Sequence, residues 1–284
     1  VKRWTMSIQV ASVVLGMILL TGCFPWRAPD RLVTVASMES ALAERESVQF
    51  LDLHGRGLKE IPDGLASLPA LVKLSVRGNA LSGLPDGVGA LAQLKWLDAG
   101  ECGLTVVPDR MAGLTGLTTL YLSDNALVAL PESWSSLTGL TYLNLDRNKL
   151  SALPRCVPAM TGLKWLRLNR NSLTELPPSI RQLTHLQRLY LNDNKLAALP
   201  AGLSELSALT DLAAAGNSLT VLPTSLASLS GLERLDLQRN RLTELPPDIS
   251  QLVNLRWLNL LKNPIGDAEQ KRLKEALPDC HIIF

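Results

Sequence analysis

One spacing governs this chain. Aligned on an apolar residue, the sequence restarts at Val48, Leu71, Leu94, Leu117, Leu140, Leu163, Leu186, Leu209, Leu232 and Leu255, and every step is 23 residues without an insertion. Such a period predicts a solenoid, because one unit cannot bury its apolar face until a neighbour stacks on it. The unit from Leu163 to His185, LKWLRLNRNSLTELPPSIRQLTH, shows the apolar frame: Leu163, Leu166, Leu168, Leu173, Leu176, Ile180 and Leu183. Positions 4 and 6 are apolar and two apart, as one face of a short strand requires, so positions 3, 5 and 7 face the other way.

Two further positions recur. Position 9 carries Asn79, Asn125, Asn148, Asn171, Asn194, Asn217, Asn240 and Asn263. An inward asparagine must bond backbone groups that a turning chain leaves unpaired, so this ladder is read as structural rather than as a set of ligands. Arg56 and Cys102 depart from it, the first as a frayed terminal repeat and the second as a buried thiol with a weak donor. Proline recurs at position 15, from Pro62 to Pro246, where it ends any strand ladder and opens a segment of short helix or turn on the convex side. The frame L-x-x-L-x-L-x-x-N-x-L, followed by Leu-Pro, resembles the leucine-rich repeat in its 23-residue form, familiar from Ras-suppressor and Scribble-type proteins and bacterial surface proteins. The resemblance covers residues 48–264. It implies an α/β repeat solenoid: a horseshoe with a concave parallel β-sheet and a convex side of short helices and turns.

The chain opens differently. Lys2 and Arg3 precede an uncharged run, Val10–Leu20, closed by Leu20-Thr21-Gly22-Cys23. That order is a secretory leader; as a helix the run reaches about 16 Å against a hydrocarbon core of about 30 Å, which favours cleavage over a transmembrane span. The last four residues resemble the lipobox of bacterial lipoproteins. The resemblance implies a leader at 1–22, lipidation with palmitate at Cys23 and a membrane anchor in a bacterial cell envelope. Phe24 stands where an aspartate would imply inner-membrane retention, which tilts the expectation to the outer membrane, with the repeats facing periplasm or exterior. Residues 23–36, with Pro25 and Pro29, read as a tether. Residues 37–47 read as a capping helix with Ser37 as N-cap and Met38, Ala41 and Leu42 on one side.

Beyond residue 264 the period stops. In the stretch 265–284, Asp267 is expected as N-cap of a helix with Gln270 completing a capping box, and Leu273 and Leu277 inward. An apolar strand-like tail follows, in which Cys280 and His281 read as packing residues. Both ends thus cover a stack whose open edges would invite aggregation.

Chemistry is hard to place on this chain. No phosphate loop, dinucleotide fingerprint, nucleophile elbow or metal spacing occurs. His54, His185 and His281 fall about five repeats apart. Asp52 and Asp98 share a face two repeats apart and read as a solvated surface. The chain is therefore expected to be non-enzymatic, without cofactor or metal. A formal charge of +2, or zero once Lys2 and Arg3 leave with the leader, gives no global field for nucleic acid. What remains is the outward strand face. Phe50, Trp96, Tyr142, Trp165 and Trp257 stand at position 3, Tyr121 and Tyr190 at position 5, and Trp134 alone lies on the convex side. Strands favour aromatics in any case, but exposed aromatics on a polar surface also anchor protein interfaces. Arg167, Arg188, Arg234 and Arg239 come late and Asp52, Asp98 and Asp124 early, a gradient suited to fixing a partner's direction. The expectation is a monomeric scaffold that binds a protein or peptide across about 45 Å of sheet, chiefly through Trp96, Tyr121, Tyr142, Trp165, Arg167, Arg188, Tyr190 and Trp257. Stacking of sugar rings on the same row, as in a cell-wall or surface glycan binder, is the alternative. No disulfide is expected among Cys102, Cys156 and Cys280.

Overall fold

The structure, a computed structural model, describes residues 32–284. The expectations for the leader, for Cys23 and for most of the tether lie outside the described residues. Twelve parallel strands form one sheet in sequence order. The repeats supply β2–β11, three residues each, from β2 (Phe50–Asp52) to β11 (Trp257–Asn259), and every one occupies positions 3–5. Pairing follows the 23-residue step: Trp165 lies opposite Tyr142 and Arg188, and Leu166 opposite Leu143 and Leu189. Because period and register agree, no side chain changes face, and repeat position sets what is core. The position-4 leucines from Leu51 to Leu258 are buried in one column that runs to Leu277.

On the opposite side, Pro85, Pro108, Pro131, Pro177, Pro200 and Pro223 each precede a five-residue 3₁₀ turn such as Asp86–Ala90 or Glu132–Ser136. Their fixed φ suits the entry, and their missing N–H is one the turn leaves unpaired anyway. Trp134 in one such turn is fully buried, its Nε1 donating to the Pro108 carbonyl at 3.1 Å. This aromatic is core.

Between strand and turn the backbone does something the sequence pattern does not announce. Position 8 is left-handed in all ten repeats: Gly55, Gly78, Glu101, Asp124, Arg147, Arg170, Asp193, Gly216, Arg239 and Lys262 have φ between 53° and 69°. Seven of these are not glycine, at a cost of about 1–3 kcal/mol each. In six of the seven an asparagine follows and offsets it, Cys102 standing in that place after Glu101. Asn171 Nδ2 donates to the carbonyls of Leu145 at 2.9 Å and Leu168 at 3.1 Å, while its Oδ1 accepts from Leu150 N–H at 3.1 Å. One side chain therefore closes its own turn and ties it to the repeat before. Asn79, Asn148, Asn194, Asn217 and Asn240 are likewise buried, and Asn125 and Asn263 make the same bonds half-buried. At Cys102 the thiol donates to the carbonyls of Val76 and Gly100, each at 3.2 Å, and burial raises its pKa.

The ends differ from expectation in detail. Thr34–Val35 is not tether but a strand, β1, paired with β2, so the cap begins earlier than residue 37. Helix α1 (Met38–Ala43) has Ser37 as its N-cap, accepting from Ser40 N–H at 3.1 Å. Met38 and Ala41 are buried, but Leu42, at the edge of that face, is 40% exposed and lies over Gly64, which has no side chain to cover it. Helix α2 (Asp267–Ala276) is capped by Gly266, not Asp267, and Gln270 reaches back to the Ile265 carbonyl at 3.1 Å. Leu273 and Leu277 are buried as expected. Strand β12 (His281–Ile283) closes the sheet on β11. Cys280 packs on the core edge, whereas His281 points to solvent and is no packing residue, since the strand's alternation turns Ile282 inward in its place.

Candidate functional site

Positions 3 and 5 form the solvent face of the sheet, and there the side chains stack along the stack of repeats. The rings of Phe50, Trp96, Tyr121, Tyr142 and Trp165 follow one another at centroid distances of 6.4, 5.7, 4.8 and 5.8 Å. Parallel strands about 4.8 Å apart make this contact possible. Cations fill the intervals. Lys73 Nζ lies 4.5 Å from the Phe50 ring and 4.1 Å from that of Trp96. Arg188 stands over Trp165 at 4.2 Å, Arg167 over Tyr190 at 5.4 Å and Arg234 over Trp257 at 5.2 Å. The row thus reaches from β2 to β11.

Its members are not equally accessible. Tyr142 is 4% exposed, so the expected open anchor is instead a support between Tyr121 and Trp165, with burial raising its hydroxyl pKa. Trp96, Tyr121, Trp165, Arg167, Arg188, Tyr190 and Trp257 are half-buried. Asp98, expected on a solvated surface, is also buried: its Oδ1 accepts from Gly100 N–H at 2.9 Å, and desolvation raises its pKa despite nearby Arg77.

That aspartate reveals a rule for position 5. Asp52, Asn144, Asp236 and Asn259 each accept from the N–H two residues on, at 2.9–3.2 Å, and so hold the turn that follows the strand. Repeats six to eight have Arg167, Tyr190 and Ala213 there, which cannot. In these repeats the turn N–H groups of Asn169, Asn192 and Ala215 are taken by Asp146, Asn169 and Asn192 of the preceding repeat, at 2.7–2.8 Å. Position 5 is thereby released from structural duty where the arginine and tyrosine stand. Trp165, Arg167, Arg188 and Tyr190 form a two-by-two block in which each arginine covers the ring of the neighbouring strand.

The expected charge gradient does not survive. Arg167 pairs with buried Asp146 at 2.7 Å, Arg188 and Arg234 flank Asp211 at 3.7 Å, and Arg239 reaches Asp193 at 2.9 Å. Arg77 with Glu101, and Arg147 with Asp124, pair likewise in the earlier repeats, the latter contact holding the Asp124 carboxyl below its usual range. Aspartates spaced one or two repeats from each arginine supply the counter-charges, a ladder readable only once neighbours are known.

Little else gathers. His54 and His185 are exposed on different sides of their repeats, the latter with Nδ1 3.1 Å from the Thr161 carbonyl. Among the described residues no three His, Cys, Asp or Glu side chains come close enough to hold a metal ion, and Cys102, Cys156 and Cys280 are free. Burial pushes the thiols of Cys156 and Cys280 up to about 11, far from a reactive thiolate.

Strand, left-handed turn, asparagine ladder and proline-led 3₁₀ turn, stacked in register, define a leucine-rich-repeat solenoid. Comparison with known proteins agrees. A leucine-rich repeat region model matches residues 132–218, and a leucine rich repeat model matches 100–150 and 215–265. No curated protein sequence matches significantly. Among solved structures, a leucine-rich-repeat protein of Leptospira interrogans is 29% identical with a TM-score of 0.62, over 89% of this chain and 76% of that one. A chain of the glycosylated Toll–Spatzle complex of Drosophila is 29% identical with a TM-score of 0.74, over 84% of this chain and 33% of its own. The plant peptide hormone receptor RGFR1 in complex with RGF2 is 27% identical with a TM-score of 0.66, over 78% and 37%. This chain thus spans about three quarters of the Leptospira protein but little more than a third of the two complexed chains.

Proposed function

We propose that the chain is a non-enzymatic scaffold that binds a protein or peptide on the solvent face of its sheet, held at the membrane of a bacterial cell envelope by a lipid on Cys23. The observation that carries the binding reading is the ring-and-cation row from Phe50 to Arg188, continuous in space although its members are dispersed through the sequence, with Arg234 and Trp257 as a second pair beyond Asp211. Half-buried aromatics and arginines are what interfaces use as anchors, and rigid stacking means little side-chain entropy remains to be lost on binding. Two of the similar structures contain a bound protein or peptide by their own description, which supports the same reading.

The test is capture from native cell envelope with the chain from Phe24 onward, against a variant with Trp96, Tyr121 and Trp165 changed to alanine and folding checked by circular dichroism. A protein held by the first and lost by the second is expected. Equal capture by both would reduce the row to strand filling, and retention on cell-wall polysaccharide that depends on Trp165 would favour a glycan ligand. For the anchor, Cys23→Ala or globomycin should leave an uncleaved, non-acylated precursor; normal processing in that variant would refute lipidation.

A further inference from the structure

Charge on this solenoid is not spread evenly. The first ten residues of each repeat, which hold the strand and its turn, carry four Lys or Arg against four Asp or Glu in repeats one to four. In repeats five to seven the same positions carry seven against two, and in eight to ten five against three. The other thirteen residues of repeats five to seven balance, with two basic and two acidic side chains. Asp124 and Asp211, which pair with Arg147 and Arg188 from just outside these repeats, bring the balance to seven against four. The remaining excess in the middle of the stack amounts to the three lysines, Lys149, Lys164 and Lys195, around the Trp165, Arg167, Arg188 and Tyr190 block.

That block also has donors to spare. A guanidinium has five N–H donors in a planar fork suited to a carboxylate. Arg167 gives Nε to Asp146, and Arg188 lies 3.7 Å from Asp211, beyond a good hydrogen bond. Both guanidinium groups already lie over rings, Arg167 5.4 Å from the centre of Tyr190 and Arg188 4.2 Å from that of Trp165, before any ligand arrives. Lys149, Lys164 and Lys195 are exposed around them. This is also where position 5 has been relieved of holding the turn directly, although Arg167 still pairs with the buried Asp146 that does so.

We infer that the occupant of this central block is an acidic segment of a partner protein, whose Asp or Glu carboxylates meet Arg167 and Arg188 while apolar neighbours rest on Trp165 and Tyr190. The inference rests on the protein-binding reading above and narrows it. Carboxylates at Asp193 and Asp211 interrupt the basic surface, which suits a segment with spaced charges better than a uniformly charged phosphate backbone or sulfated chain. Complementarity of this kind sets specificity and association rate, and it weakens as salt shortens the Debye length.

A random peptide library displayed on phage is selected on the detergent-solubilised full chain and on two variants. One is Arg167→Gln with Arg188→Gln. The other is Lys149→Glu, Lys164→Glu and Lys195→Glu, which alters only exposed side chains and keeps the test sound if the first variant folds poorly. The expected result is enrichment of acidic peptides on the unaltered chain, about tenfold weaker binding of an enriched peptide to either variant, and weakening with added salt. Enrichment without acidic bias would overturn the inference while leaving the sheet as a protein-binding surface. No enrichment on any form would overturn both. Retention of a sulfated oligosaccharide in place of peptides would replace the acidic segment by an anionic glycan.

Discussion

Replacing Asn171 by alanine tests the physical account of this fold most directly. The side chain is 8% exposed and serves four backbone groups: it donates to Leu145 O, Leu168 O and, at 3.3 Å, Asn169 O, and accepts from Leu150 N–H. A net bond contributes about 1 kcal/mol, and a buried group left without a partner costs about 1–3 kcal/mol. Two of the four groups belong to repeat five, so the loss falls on the coupling between repeats five and six as well as on the left-handed turn at Arg170. Together these give an expected loss of about 3–4 kcal/mol, read from urea unfolding followed by circular dichroism. Because solenoid stability is a sum of nearest-neighbour terms, the transition should also broaden. Hydrogen exchange at Leu150 should rise more than at Leu196, whose N–H is held by Asn217. Cysteine provides the control. At Cys102 the thiol still serves two carbonyls, and Leu81 N–H bonds the Cys102 carbonyl at 3.0 Å in place of a side chain. Asn171→Cys should therefore lose less than alanine. A loss below about 1 kcal/mol for alanine, or equal losses for both, would refute this account.

Two other substitutions probe different forces. Gly216 and Gly78 are both left-handed at position 8, but a Cβ at Gly216 would run into the Asp193 carboxylate and the Arg239 amino group, which bridge over it, whereas at Gly78 the nearest atom is His54 Cε1 at 3.4 Å. Gly216→Ala should cost about 1 kcal/mol more than Gly78→Ala in urea unfolding, and a smaller loss at Gly216 would contradict the bridge. At the C-terminal end, Glu269 accepts from Leu245 N–H and pairs with Arg272, which also reaches the Leu245 and Pro247 carbonyls. The Arg272 hydrogen bond holds the Glu269 carboxyl below its usual 4.5. The depressed value places the stabilisation above the ordinary carboxylate pKa, and it is lost as pH falls from there through the folded value. Arg272→Ala should cost about 1–2 kcal/mol at neutral pH and flatten the acid limb of the stability profile; an unchanged limb would count against the clamp.

Sequence alone determined the number of repeats, their register, the inward column and the structural office of the asparagines. It could do so because a period shared by every unit converts sequence position into spatial position without any long-range information. The aromatic bias at positions 3 and 5 was legible for the same reason. What the period cannot carry is anything that depends on which residue a neighbouring repeat happens to supply. The burial of Tyr142 follows from rings at Tyr121 and Trp165 closing over it. The cancelled charge gradient follows from aspartates one or two repeats away from each arginine. The release of Arg167 and Tyr190 follows from Asp146 and Asn169 reaching across to the next turn. Left-handed backbone at Asp124, Arg147 and Arg170 was hidden too, since residue type there does not signal it and the asparagine alongside makes it affordable. Local pattern fixed the scaffold, because every repeat brings the same leucine frame to the shared column, whatever else its neighbours carry. The face that meets a partner was decided between repeats, where side chains about 5 Å apart choose one another.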